Sequence, residues 1–114
     1  MKKSFDKPAR LTKLPKIRVV SGRIGDLDVR RLTVEPGWRW SDSVGPAMSS
    51  DTCPLEHFVW IVTAGRFCVR MDDGRTEEFG PGDVGSIDRG HDAWVVGDDV
   101  VVGFDVQAAA DTSG

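Results

Sequence analysis

Three residues are of types that could carry chemistry and sit where a fold could gather them: Asp51, Cys53 and His91. Asp51 and Cys53 stand two apart in SSDTCP, so on a strand they would project from one face. His91 suits general acid or base work, because an imidazole with a reference pKa of about 6.5 exchanges a proton near neutrality. Asp51 could orient that ring or act as the base itself. Cys53 could be a nucleophile where a nearby cation or imidazole lowers its pKa. As a set, Asp, Cys and His could instead hold Zn, or Fe or Cu, with one coordination position left open. Each also has a structural reading. His91 follows Gly90 in a turn, Asp51 could fix another, and Cys53 could be a small buried hydrophobe.

Tryptophan is the second clue. The chain has four Trp and no Tyr, and Trp38, Trp40, Trp60 and Trp94 all fall in or beside predicted strands. A Trp offers a large apolar wall and one N–H donor, which suits the lining of a small-molecule cavity as well as a core.

The elements that must position these residues are strands. At 114 residues, with 39% hydrophobic and 29% charged side chains, the chain is long enough for one domain. Thirteen Gly, six Pro and the lack of a sustained helical period favour an all-β fold. A net charge of -3 argues against general nucleic-acid binding, since a surface that tracks phosphates is normally basic. No apolar run is long enough to span a membrane, and MKKSFDKPAR lacks the apolar segment of a signal peptide, so a cytoplasmic protein is expected. Cys53 and Cys68 lack CxxC spacing and are expected to be free thiols.

Residues 1–16 carry six Lys or Arg and are expected to form a basic arm, with Phe5 or Leu11 available as an anchor on a neighbouring subunit. Residues 17–106 form the β domain, and residues 107–114 a flexible tail. Strands are predicted at 17–20, 27–34, 58–63, 67–71, 75–79 and 84–87, with 93–96 and 100–106 as a closing hairpin through Gly97-Asp98-Asp99. Glu35-Pro36-Gly37 is a turn, Trp38-Arg39-Trp40 starts a strand with both indoles on one face, and 42–50 is a polar loop.

Two glycine-cornered stretches carry a family likeness. Residues 45–65, GPAMSSDTCPLEHFVWIVTAG, and residues 82–97, GDVGSIDRGHDAWVVG, have the spacing of the two signature motifs of the cupin superfamily. Gly45, Asp51, Cys53, Phe58 and Gly65 fall where the first motif has its Gly, His-x-His, Glu and Gly. Gly82, Asp88, Gly90, Ala93 and Gly97 fall where the second has its Gly, Pro-x-Gly, His and Asn. The runs MDDG, GPGD and GHDAWVVGD make the chain most similar to small single-domain bacterial cupins, which would have two adjacent His where this chain has His57-Phe58.

That resemblance implies a jelly-roll β-barrel. It places Phe58, Trp60 and Val62 inside, and His57, Val59 and Ile61 outside against a second sheet or a subunit. Asp51, Cys53 and His91 could then project inward together. Phe58 and Ala93 replace two of the usual ligands, so a standard cupin metal site is not expected; either no cofactor or a single divalent metal on Asp51, Cys53 and His91 is. The pocket would be lined by Trp38, Trp40, Phe58, Trp60 and Ala93.

The expected function is a small-molecule enzyme of the lyase, isomerase or cyclase kind, with acid-base chemistry on His91 and Asp51 and with Cys53 as a further catalytic candidate. A non-enzymatic ligand-binding cupin and a metal-dependent oxygenase on the rearranged site are the alternatives. The doubly apolar strand from His57 calls for a homodimer.

Overall fold

The computed structural model describes residues 1–109. Among them are nine strands: β1 (Arg10–Leu14), β2 (Ile17–Ile24), β3 (Leu27–Val34), β4 (His57–Ala64), β5 (Phe67–Met71), β6 (Thr76–Phe79), β7 (Val84–Ile87), β8 (His91–Val95) and β9 (Val101–Ala108). A single helix among the described residues, α1 (Trp40–Met48), lies between β3 and β4. The strands form an antiparallel six-stranded sheet, β1-β2-β3-β9-β4-β7, and a three-stranded sheet, β6-β5-β8. This is the expected all-β jelly roll. No helix among the described residues is long and apolar enough to cross a membrane.

The core forms where the two sheets meet. In β9, Val101, Gly103 and Asp105 face inward and are buried, while Val102, Phe104 and Val106 face out, as a period of two requires. Trp60 pairs with Asp105, and Val62 with Gly103. Trp60, Val34, Val62 and Val101 are fully buried, and burial of each Val side chain contributes roughly 1.5–3 kcal/mol. Gly103 is needed for space. A Cβ there would run into the Trp60 ring, so the indole can lie flat over the sheet only where β9 has no side chain.

β4 departs from strict alternation. Its pairing with β7 shifts register between His57 and Trp60, and Phe58 and Val59 are both exposed. A bulge adds one residue to a strand and reverses the face of everything before it. Trp60 and Val62 therefore point inward as expected, but His57 is buried inside and Phe58, 49% exposed, stands outside. The expected orientation of both residues is reversed.

Residues 38–50 also differ from expectation. Trp38 is buried in the turn, Trp40 opens α1, and much of the anticipated polar loop is helical. The helix has no side-chain cap of its own at Arg39. Its first turn is held by a distant carboxylate: Asp92, on β8, accepts from the Ser41 backbone N–H (3.0 Å) and from the Ser41 hydroxyl (2.9 Å). Satisfying otherwise orphaned N–H groups is what a local cap does, and here the tertiary fold does it.

The 93–96 and 100–106 segments do not form a hairpin. The chain crosses between the sheets at residues 97–99, so β8 pairs with β5 while β9 pairs with β3 and β4. Residues 10–14 of the basic arm pair with β2 as an edge strand. Phe5 lies against Phe104 of its own sheet, ring centroids 6.0 Å apart, with the Arg31 guanidinium over its face. β9 extends to Ala108, and most of the predicted tail, residues 110–114, lies outside the described residues.

Candidate functional site

Cys53 and His91 are brought together by backbone. The Cys53 N–H donates to the His91 carbonyl (2.6 Å), and the Gly90 N–H donates to the Cys53 carbonyl (2.8 Å). This single bridge sits at the start of β8 and turns both side chains inward. His57 joins them from the start of β4, placed there by the bulge. One nitrogen from each imidazole and the Cys53 sulfur lie within 4.8 Å of one another, and all three residues are buried.

Both rings are oriented by their outer nitrogens. His57 Nδ1 lies 2.7 Å from Asp105 Oδ2, and His91 Nδ1 lies 2.8 Å from the Asp88 carbonyl oxygen. A carbonyl and an ionised carboxylate only accept, so both Nδ1 atoms donate, and Nε2 is the nitrogen each ring has left for the cavity. Asp105 is completely buried. Arg30, on the neighbouring β3, grips it with two parallel bonds, Nε to Oδ1 (2.9 Å) and Nη2 to Oδ2 (2.7 Å). Burial alone would push the Asp105 carboxyl up, but the bonds from His57 and Arg30 and the Arg30 charge outweigh it and hold the group below its ordinary value.

Two further shifts set the chemistry. Burial pulls the His91 imidazole below its usual pKa, with the bond to Asp88 opposing, so the ring is neutral at neutral pH. Burial pushes the Cys53 thiol up, against smaller lowering effects from a backbone bond at Leu55 and from Arg30, so by itself the sulfur keeps its proton.

The three side chains open on a cavity of about 100 Å³. Trp38, Trp40, Trp60 and Phe67 form its aromatic wall, and Ile17, Val19, Leu32, Val44, Leu55 and Ile87 its aliphatic one. Arg30, Met48 and Ala93 also border it. The indole N–H groups of Trp38 and Trp60 are buried without a hydrogen-bond partner among the described residues.

Of the residues singled out from sequence, Cys53 and His91 meet at the centre, and Trp38, Trp40, Trp60 and Ala93 line the cavity. Asp51 and Phe58 do neither. Only Cys53 makes a bridge in its stretch, so no strand alternation carries Asp51 inward, and it is exposed. Phe58 is turned out by the bulge. His57, Arg30 and Asp105 were missed as site residues. Asp105 did leave a signal: it is the one charge in the apolar run VVGFDV, at an inward position.

The two antiparallel sheets make a jelly-roll barrel, and the solved structures similar to it include cupins, so the fold is that of a cupin. Among solved structures, the chain is similar to KdgF from Halomonas sp., at 18% identity and a TM-score of 0.61 over 91% of each chain. It is also similar to a cupin-like protein from Thermotoga maritima, at 16% identity and a TM-score of 0.61 over 94% of this chain and 81% of that one. The oxalate decarboxylase of Lactobacillus farciminis, in its formate complex, matches at 16% identity and a TM-score of 0.64, covering 96% of this chain but 32% of that one. No family model matches the sequence, and no curated protein matches it.

Proposed function

We propose that this protein acts on, or binds, a small molecule at a single divalent metal ion held by Cys53, His57 and His91. The observation that carries the reading is the convergence of one thiol and two imidazoles whose Nδ1 atoms are both already anchored. Metal-binding histidines are typically oriented this way, with the second nitrogen on a carboxylate or carbonyl. Two imidazoles and a thiolate suit Zn, Cu or Fe better than Mg or Ca, and three protein ligands leave a position for water or substrate. A bound ion of this class polarises a ligand oxygen and lowers the pKa of bound water.

The chain's own residues do the rest. Asp105 and the Asp88 carbonyl fix the rings, the aromatic wall excludes bulk water, and His91 is ready as a neutral base or ligand. Cys53 must release its proton to bind, so metal uptake is tied to proton release. Lyase, isomerase or cyclase chemistry, oxygenase chemistry and ligand storage would share this architecture, and the fold alone assigns none of them. Two free thiols, Cys53 and Cys68, suit a reducing compartment such as the cytoplasm.

A second reading has an observation of its own. The lowered pKa of His91, beside the protonated Cys53, makes a base and acid pair that needs no metal. Protein purified without chelator and titrated with Co(II) separates the two. The metal reading expects one equivalent and a thiolate-to-cobalt absorption band that Cys53→Ser removes. No uptake in the wild type would leave the acid-base reading.

A further inference from the structure

The polar groups facing the cavity are unequally divided between donors and acceptors, and the imbalance points to a class of ligand. Trp38 and Trp60 are 3% and 2% exposed, both line the cavity, and neither indole N–H has a partner among the described residues. Buried N–H groups in native proteins are nearly always paired, so two unpaired ones on one cavity wall call for an acceptor from outside the chain. Arg30 lines the same space. Its Nε and Nη2 are taken by Asp105, and its Nη1 makes no hydrogen bond among the described residues.

The acceptors on the wall are the Nε2 atoms of His57 and His91. In the metal reading, on which this inference rests, they and the Cys53 sulfur are turned to the ion. What remains for a ligand is N–H donors and apolar surface. No side chain lining the cavity carries an acceptor oxygen to receive a ligand O–H or N–H, whereas an oxygen without hydrogen has three side-chain donors among the lining residues. Charge points the same way. Asp105 already compensates Arg30, and a divalent ion with one thiolate keeps a single positive charge, which a monoanion cancels in an apolar cavity. A volume of about 100 Å³ is small beside the roughly 300–1,000 Å³ of sites for drug-sized ligands, so the ligand is a small one.

We infer that the site takes a small carboxylate with an apolar body, its oxygens accepting from Trp38 Nε1, Trp60 Nε1 and Arg30 Nη1. Calorimetric titration of the zinc-loaded wild-type protein with isobutyrate and with isobutyramide tests this, because the two probes share a shape and differ in charge and in N–H donors. Isobutyrate is expected to bind about tenfold more tightly or better. In 15N–1H spectra it should move the indole resonances of Trp38 and Trp60 and leave that of Trp94, outside the cavity, in place. Trp38→Phe and Trp60→Phe should each weaken isobutyrate about five- to tenfold. The spectra of the unmutated protein carry the test where a Phe variant fails to fold. Zinc uptake with equal affinity for the two probes, or with unmoved Trp38 and Trp60 resonances, overturns the inference and leaves the metal reading standing. A wild type that takes up no zinc overturns both.

Discussion

His57 Nδ1 lies 2.7 Å from Asp105 Oδ2, and this contact joins the candidate metal centre to the most completely buried charge in the barrel. Asp105 in turn is clamped by Arg30, so a line of three charged or titratable side chains runs from β3 through β9 to β4. Each member is oriented by the next.

Asp105→Asn should therefore act on two quantities. Breaking a buried pair leaves the Arg30 charge uncompensated, and a loss of about 3–5 kcal/mol in urea denaturation is expected. In the fraction that stays folded, metal affinity should fall about 10- to 100-fold, because His57 loses the partner that orients it. A variant with wild-type stability and wild-type Co(II) affinity would remove Asp105 from the site.

The metal-free protein should lose stability in acid in two stages. His91 has a native pKa below its unfolded value of about 6.5, so its contribution is complete above that pH. Below it the unfolded chain takes up a proton that the native state resists, and stability falls until the native pKa is passed. Asp105 is also depressed, below an unfolded value of about 3.9, so its contribution holds above that pH and is lost as pH falls through the native value. Denaturant titrations of chelator-treated protein over this range should show both stages, and His91→Gln should lack the first. An unchanged first stage in that variant would assign it to another group.

Position 58 is a sharp discriminator of register. A Glu on the inner face there would add a fourth ligand, but the bulge puts the side chain in solvent. Phe58→Glu should change stability by about 0.5 kcal/mol or less and leave Co(II) binding unaltered, whereas His57→Ala should abolish it. Tighter cobalt binding by Phe58→Glu would show that the face assignment of β4 is wrong.

The outer face of the six-stranded sheet should be a contact between two copies. Val84 is 66% exposed and pairs with Ile61, which pairs with Phe104, while Val59 is exposed on the same strand as Ile61. Such a strip, flanked by strands already packed on their inner side, matches the need for a second apolar partner. Sedimentation should give a dimer at micromolar concentration, converted to monomer by Ile61→Glu with Val84→Lys. A wild-type monomer at that concentration rules the contact out.

Much of the architecture was legible because its signals are local. Turn residues such as Asp72-Asp73-Gly74 and Gly80-Pro81-Gly82 mark strand ends from their own conformational preferences, and the period-two run in β5 states its inner face directly. Cys53, His91 and the three cavity tryptophans could be picked out by chemical type, because few other residues in this chain combine reactivity or ring size with an expected inward position. The cupin spacing of residues 45–65 and 82–97 carried the fold, but carried it one face out of step at Phe58.

What only the tertiary structure decided depends on pairing across long sequence separations. A bulge is invisible in an apolar run such as HFVWIV, because both faces of β4 accept hydrophobic residues, and one extra residue was enough to exchange His57 for Phe58. Helix α1 was hidden because its cap is Asp92, 51 residues from Ser41. Arg30 and Asp105 are 75 residues apart, and nothing near either one names the other. They meet because β3 and β9 are neighbours in one register, Arg30 opposite Asp105, and a register is settled by the packing of whole strands rather than by the residues that come to share it.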